Sequence, residues 1–116
     1  MNPSASQTNR SLQLTLEDNG KQVVLKSGDT LVIQLRTNPT TGFDWQAGIF
    51  DPQILLEEKR IYTVLSDAMG SPSDLAIHYR AVASGKTHLE LHYRRSWEKE
   101  PAPLQTFQVD IECRGN

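Results

Sequence analysis

The chain has 116 residues, with 12 lysines and arginines against 14 aspartates and glutamates, a formal net charge of -2. That length suits one domain with a core of its own, the balance lacks the basic excess of nucleic-acid binders, and no apolar run approaches the roughly 20 residues that span a bilayer. Cys113 is the single cysteine, so no intrachain disulfide can form, and packing must hold the fold.

Residues 1–10 are polar and read as a disordered tail, leaving 11–116 as a single domain. No charged segment followed by an apolar stretch opens the chain. Two readings of the compartment stay open: cytoplasmic as the sequence stands, or periplasmic or secreted if a signal peptide has been removed. Asn9-Arg10-Ser11 matches a glycosylation sequon, a weak signal in a polar tail. Leu12, Leu14 and Leu16 alternate with polar residues, the period of a half-buried strand. Asp18-Asn19-Gly20 predicts a hairpin turn. A short strand over 21–25 ends at Ser27-Gly28-Asp29, and Leu31, Ile33 and Leu35 mark the next.

That strand runs into Arg36-Thr37-Asn38-Pro39-Thr40-Thr41-Gly42-Phe43-Asp44-Trp45. Pro39 fixes its own φ and pushes Asn38 toward extended geometry, while Gly42 can take a positive φ and return the chain to a strand. Thr40 and Thr41, restricted at χ1, place small hydroxyls between the two hinges. The loop carries no general base, nucleophile or metal ligand. A preorganised loop of this kind suits binding, since little ordering entropy remains to be lost on contact. The plainer alternative is a connector, because Asn, Pro, Thr and Gly dominate turns in general.

Beyond the loop, Phe43 and Trp45 point toward a core, Asp51-Pro52 turns the chain, and 54–64 reads as an extended, partly irregular strand. Residues 66–73 have loop composition. Leu75, Ile77, Tyr79 and Ala81 face inward, Ser84-Gly85-Lys86 turns, and Leu89, Leu91 and Tyr93 face inward on the return. A hairpin pairing residue 82 with 88 would set Arg80 opposite Glu90 and His78 opposite His92. After a charged loop over 94–103, Phe107, Val109 and Ile111 alternate in a last strand. About seven short strands with regularly spaced turns indicate an all-β protein, an immunoglobulin-like antiparallel β-sandwich without the disulfide.

In such a sandwich alternate connections emerge at one end, so loops 38–42, 66–73 and 94–103 would form one surface. The third reads Tyr93-Arg94-Arg95-Ser96-Trp97-Glu98. Trp97, set among charges, reads as an exposed anchor of the type enriched at binding hot spots, against the alternative that it folds back on the sandwich edge. The run from Asn38 to Phe43 with Trp45, together with Tyr93, Arg95 and Trp97, resembles the chagasin family, small proteins that inhibit papain-like cysteine proteases. Ser96 stands where the family carries proline, and Gly70-Ser71-Pro72-Ser73 where it carries a glycine-rich run. The resemblance implies reversible, tight, competitive inhibition. Asn38, Pro39, Thr40, Thr41, Gly42 and Phe43 would cover the catalytic cysteine and histidine. Arg95 and Trp97 would lie to one side of the cleft, and Gly70, Ser71 and Pro72 to the other. It implies a monomeric inhibitor whose partner is the protease, with no cofactor, nucleic acid or membrane.

Two rival readings are weaker. As an enzyme, the chain would rely on Cys113, which lies on the inward parity of the last strand with no histidine near it in sequence. His78 and His92 could grip zinc across the predicted hairpin, but no further ligand completes a tetrahedral set. An adhesion or carbohydrate-binding module of the same fold remains the alternative to inhibition, because fold alone does not decide function.

Overall fold

A computed structural model describes residues 9–66, 70–98 and 102–115. Eight strands run β1 Ser11–Leu14, β2 Gln22–Lys26, β3 Thr30–Thr37, β4 Phe43–Ile49, β5 Leu55–Val64, β6 Ser73–Ala81, β7 Gly85–Arg95 and β8 Gln105–Arg114. They form two four-stranded sheets, ordered β1-β3-β6-β5 and β2-β8-β7-β4. This is the expected immunoglobulin-like sandwich, and the alternating residues explain why it forms. Leu31, Ile33 and Leu35 of one sheet and Leu89, Leu91, Phe107, Val109 and Ile111 of the other are all buried, giving each sheet one apolar face to hide against its partner. Cys113 lies on that interior face, where burial pushes its thiol above the ordinary range, so it is a packing residue.

Two predicted hairpins do not form. β1 joins the first sheet, parallel to β3, and β2 joins the second, parallel to β8. Asp18-Asn19-Gly20 is therefore a crossing between sheets, entered by a short 3-10 turn at Leu16–Asp18 that leaves Leu16 exposed. Likewise β6 pairs with β3 and β5 while β7 pairs with β8 and β4, so 82–84 also crosses between sheets. Arg80 meets Glu58 at 2.8 Å instead of Glu90, and His78 and His92 sit in different sheets. The period-two pattern held along β6 and β7, and at the first place only as far as Leu14. Period tells which face a residue occupies, and says nothing about which strand lies beside it.

The open side of the sandwich, between edge strands β4 and β5, is laced by polar side chains. Arg60 pairs with Glu57 at 3.2 Å and donates to the Trp45 carbonyl across the gap, while the Tyr62 hydroxyl donates to Asp44. Charges on the inward side of an edge strand also discourage pairing with a stray chain. At the opposite side, buried Asp29 accepts hydrogen bonds from the Lys26 and Arg10 backbone N–H groups at 2.8 and 3.1 Å, and pairs with the Arg10 guanidinium at 3.3 Å. Of the polar N-terminal stretch, residues 1–8 lie outside the described residues. Arg10 is tied to the sandwich through these bonds.

Burial alone would raise the Asp29 carboxyl, but those backbone and guanidinium bonds prevail and hold it below the usual range. A depressed folded pKa adds stability above the unfolded value of about 3.9, and that stability is lost as pH falls through the lower folded value. Acid titration of the denaturant midpoint should therefore show a drop below about pH 4 that is shallower in Asp29→Asn. That variant should also be less stable by roughly 1–3 kcal/mol at neutral pH.

Candidate functional site

Thr37 ends β3 in the first sheet, opposite Ser73 of β6, and Phe43 begins β4 in the second, opposite Arg95 of β7. Residues 38–42 therefore cross between sheets at the same end where β6 starts and β7 finishes. All three predicted loops meet there. Asn38 Nδ2 reaches the Gly70 carbonyl at 3.4 Å, Arg95 Nε donates to the Thr41 carbonyl at 3.1 Å, and the Trp97 ring lies over Gly42.

The first loop is a 3-10 turn at Pro39–Thr41, closed by bonds from Thr41 N–H to the Asn38 carbonyl at 3.1 Å and Gly42 N–H to the Pro39 carbonyl at 2.9 Å. Proline at the start and Gly42 at φ 84° in the left-handed region play the roles their residue types suggest. The threonine hydroxyls are already engaged: Thr40 Oγ1 donates to Asn38 Oδ1 at 2.7 Å and Thr41 Oγ1 to the Asn38 carbonyl at 2.8 Å. Their O–H groups stiffen the turn, and their lone pairs face solvent as acceptors. Pro39, Thr40 and Thr41 are exposed, Asn38, Gly42 and Phe43 half-buried.

Beneath the turn lies a polar knot that the sequence did not reveal. The buried Thr37 hydroxyl sits 2.9 Å from Asp44 Oδ1, which also accepts the Trp45 N–H at 2.8 Å, while Asp44 Oδ2 takes the Tyr62 hydroxyl. Trp45 is buried, and its indole donates to the Arg36 carbonyl of the other sheet at 2.9 Å. Its ring packs on Tyr93, which stacks in turn on Phe43 at 5.4 Å. Burial pushes the Tyr93 phenol up, while bonds from the Asn38 backbone and the Thr37 side chain pull it back.

In the third loop, β7 runs two residues further than predicted, to Arg95, and a β-turn over 95–98 closes through Glu98 N–H to the Arg95 carbonyl at 3.1 Å. Trp97 is 68% exposed, so its ring rests on Gly42 without being hidden by it. The Arg95 guanidinium lies 4.5 Å from the Phe43 ring centre, an arrangement favourable to cation–π attraction. Leu104, 67% exposed, closes the loop by its N–H to the Tyr93 carbonyl at 2.9 Å. It adds an apolar element that sequence reasoning missed, since an isolated leucine after prolines gives no periodic signal. Residues 99–101 lie outside the described ones, as do 67–69 of the middle loop. There Gly70 is exposed with φ 79°, and Ser71 and Pro72 are half-buried.

Residues 24–111 match the chagasin family of peptidase inhibitors, I42. The chain belongs to the chagasin family. Amoebiasin-2 of Entamoeba histolytica is 30% identical over 103 residues, covering 87% of this chain and 84% of the relative. Chagasin of Trypanosoma cruzi is 28% identical over 106 residues, covering 87% and 96%. The solved structure of the cysteine protease inhibitor EhICP2 from Entamoeba histolytica superimposes with a TM-score of 0.82 at 27% identity, covering 90% of this chain and 96% of that one. The β-sandwich and its crossing loops are thus the chagasin architecture.

Gly42 is the most constrained position of this chagasin-like pole. A Cβ there would stand 2.4 Å from Trp97 Cη2, on a backbone that L side chains rarely adopt. Gly42→Ala should cost about 1–2 kcal/mol in denaturant unfolding. It should also shift the Trp97 indole resonance while leaving that of buried Trp45 in place.

Proposed function

We propose that this protein inhibits papain-like cysteine proteases reversibly and competitively, lodging the 38–42 turn over the catalytic cysteine and histidine. Trp97 and Arg95 lie along one wall of the cleft and Gly70, Ser71 and Pro72 along the other. Family membership supports inhibition, and the observation that carries the mode of action is the convergence of a braced turn and an exposed tryptophan at one pole. Because the turn is already closed by its own hydrogen bonds, binding it freezes little that was free, and affinity comes from shape and rigidity. The interface is of ordinary size, about 800 Å² per partner.

The same closure opposes cleavage of the turn by the protease. A substrate enters such a cleft extended, with its scissile carbonyl presented to the thiolate. Residues 38–42 enter as a one-turn helix whose carbonyls at Asn38 and Pro39 are held by Thr41 and Gly42 N–H groups. The chain acts as a binding protein rather than an enzyme: its tip offers hydroxyl oxygens and aromatic surface, and its thiol is packed in the core.

Titration of papain with the purified chain should abolish activity near equimolar protein. Trp97→Ala should leave the unfolding transition unchanged and raise the inhibition constant at least about 30-fold, the effect of losing roughly 2 kcal/mol at an anchor. Thr40→Ala, which frees the Asn38 side chain, should weaken inhibition more modestly. A general adhesion module would leave papain untouched, and a Trp97→Ala, Thr40→Ala double variant of full potency would place the contact elsewhere.

A further inference from the structure

The turn that carries Trp97 has no proline at its second position, where proline would preset φ. Ser96 occupies that place in the 95–98 turn. The turn is instead closed a second time by side chains. Arg95 Nη1 meets Glu98 Oε1 at 3.2 Å, while Nε of the same guanidinium holds the Thr41 carbonyl at 3.1 Å. The plane between them covers the Phe43 ring at 4.5 Å and comes within 6.0 Å of the Trp97 ring centre. One planar cation thus joins both ends of its own turn and ties that turn to the neighbouring loop.

We propose that Glu98 is a positioning residue for inhibition: it orients Arg95, and through Arg95 fixes the Trp97 turn against the 38–42 turn before any protease arrives. An arginine side chain at the mouth of a loop has many rotamers of similar energy, and its two outer donor edges can point at a carbonyl and a carboxylate together in few of them. With Glu98 in place, the donor edge facing Thr41 is the one left over. Without it, the guanidinium can turn toward solvent, and the contact that spans the two loops loses its hold. Both side chains are somewhat more than one-third exposed, at 39% and 35%, so the pair is a modest interaction open to screening by salt. Its effect falls on the order of the free inhibitor, where loosening must be reversed each time the complex forms.

This inference rests on the inhibitor reading, and the experiment separates the two. Papain inhibition by the wild-type chain, Glu98→Gln, Ser96→Pro and the Ser96→Pro, Glu98→Gln pair is followed by stopped-flow kinetics at low and high salt. The Trp97 and Trp45 indole resonances of each free protein are recorded alongside. Glu98→Gln should weaken inhibition roughly two- to fivefold, reduce the salt dependence of the inhibition constant, and broaden or shift the Trp97 indole while sparing Trp45. Ser96→Pro should recover much of the loss in the Glu98→Gln background, because it restricts the same turn by another route, and should gain less in the wild type.

If wild-type protein leaves papain active, the inhibitor reading itself fails. If the wild type inhibits and Glu98→Gln matches it in rates, salt response and Trp97 resonance, the positioning role is overturned. It is equally overturned if Glu98→Gln weakens inhibition with an unaltered Trp97 resonance and no rescue by proline, which would make Glu98 a direct contact with the protease.

Discussion

The connection at residues 38–42 leaves one sheet and enters the other, and the rest of the pole depends on that crossing being held rigid. A segment that changes sheets gives up the ladder hydrogen bonds on both sides, so its backbone groups must find partners within the loop. Asn38 supplies most of them, accepting from Thr41 N–H, Thr41 Oγ1 and Thr40 Oγ1 while donating toward Gly70. Below it, Trp45 fastens the two sheets by its indole bond to Arg36, and Asp44 gathers Thr37 and Tyr62. The tip stands on a footing that is partly apolar and partly polar.

This division of labour bears on how a small domain makes a rigid binding edge without a disulfide. The core supplies stability through ordinary burial, yet a core alone leaves loops free to move. Here order is carried outward by a stack of rings, Trp45 to Tyr93 to Phe43, capped by the Arg95 guanidinium. The lowest ring, Trp45, is fully enclosed, and the Tyr93 and Phe43 rings above it are half-buried. Arg95 is therefore engaged inside the molecule as well as presented at its surface, and the exposed Trp97 beside it is the larger free contact area.

Much of this was legible beforehand. The alternating leucines, isoleucines and valines identified nearly every strand and its buried face, since period two follows from backbone geometry alone. Pro39, Gly42 and Trp97 were recognisable because proline, glycine and an isolated tryptophan each carry a narrow set of physical roles. The two false hairpins mark the boundary of that method. Asp18-Asn19-Gly20 has good hairpin chemistry, and 82–88 a sensible charge register, but a sandwich has two sheets to offer each strand. Local turn chemistry does not say which sheet a strand will join.

The sequence by itself determined the class of fold, the inward residues and the presence of a stiff, threonine-bearing turn, because these depend on neighbours within a few positions. Only the tertiary structure decided which strands lie side by side, that the Thr40 and Thr41 hydroxyls are spent on Asn38, and that Asp44, Tyr62, Arg95 and Glu98 brace the pole. Such contacts join residues far apart in the chain, as Thr41 and Arg95 are, 54 positions from each other. Their partners are chosen by the packing of two sheets, a property of the whole chain that no local pattern encodes.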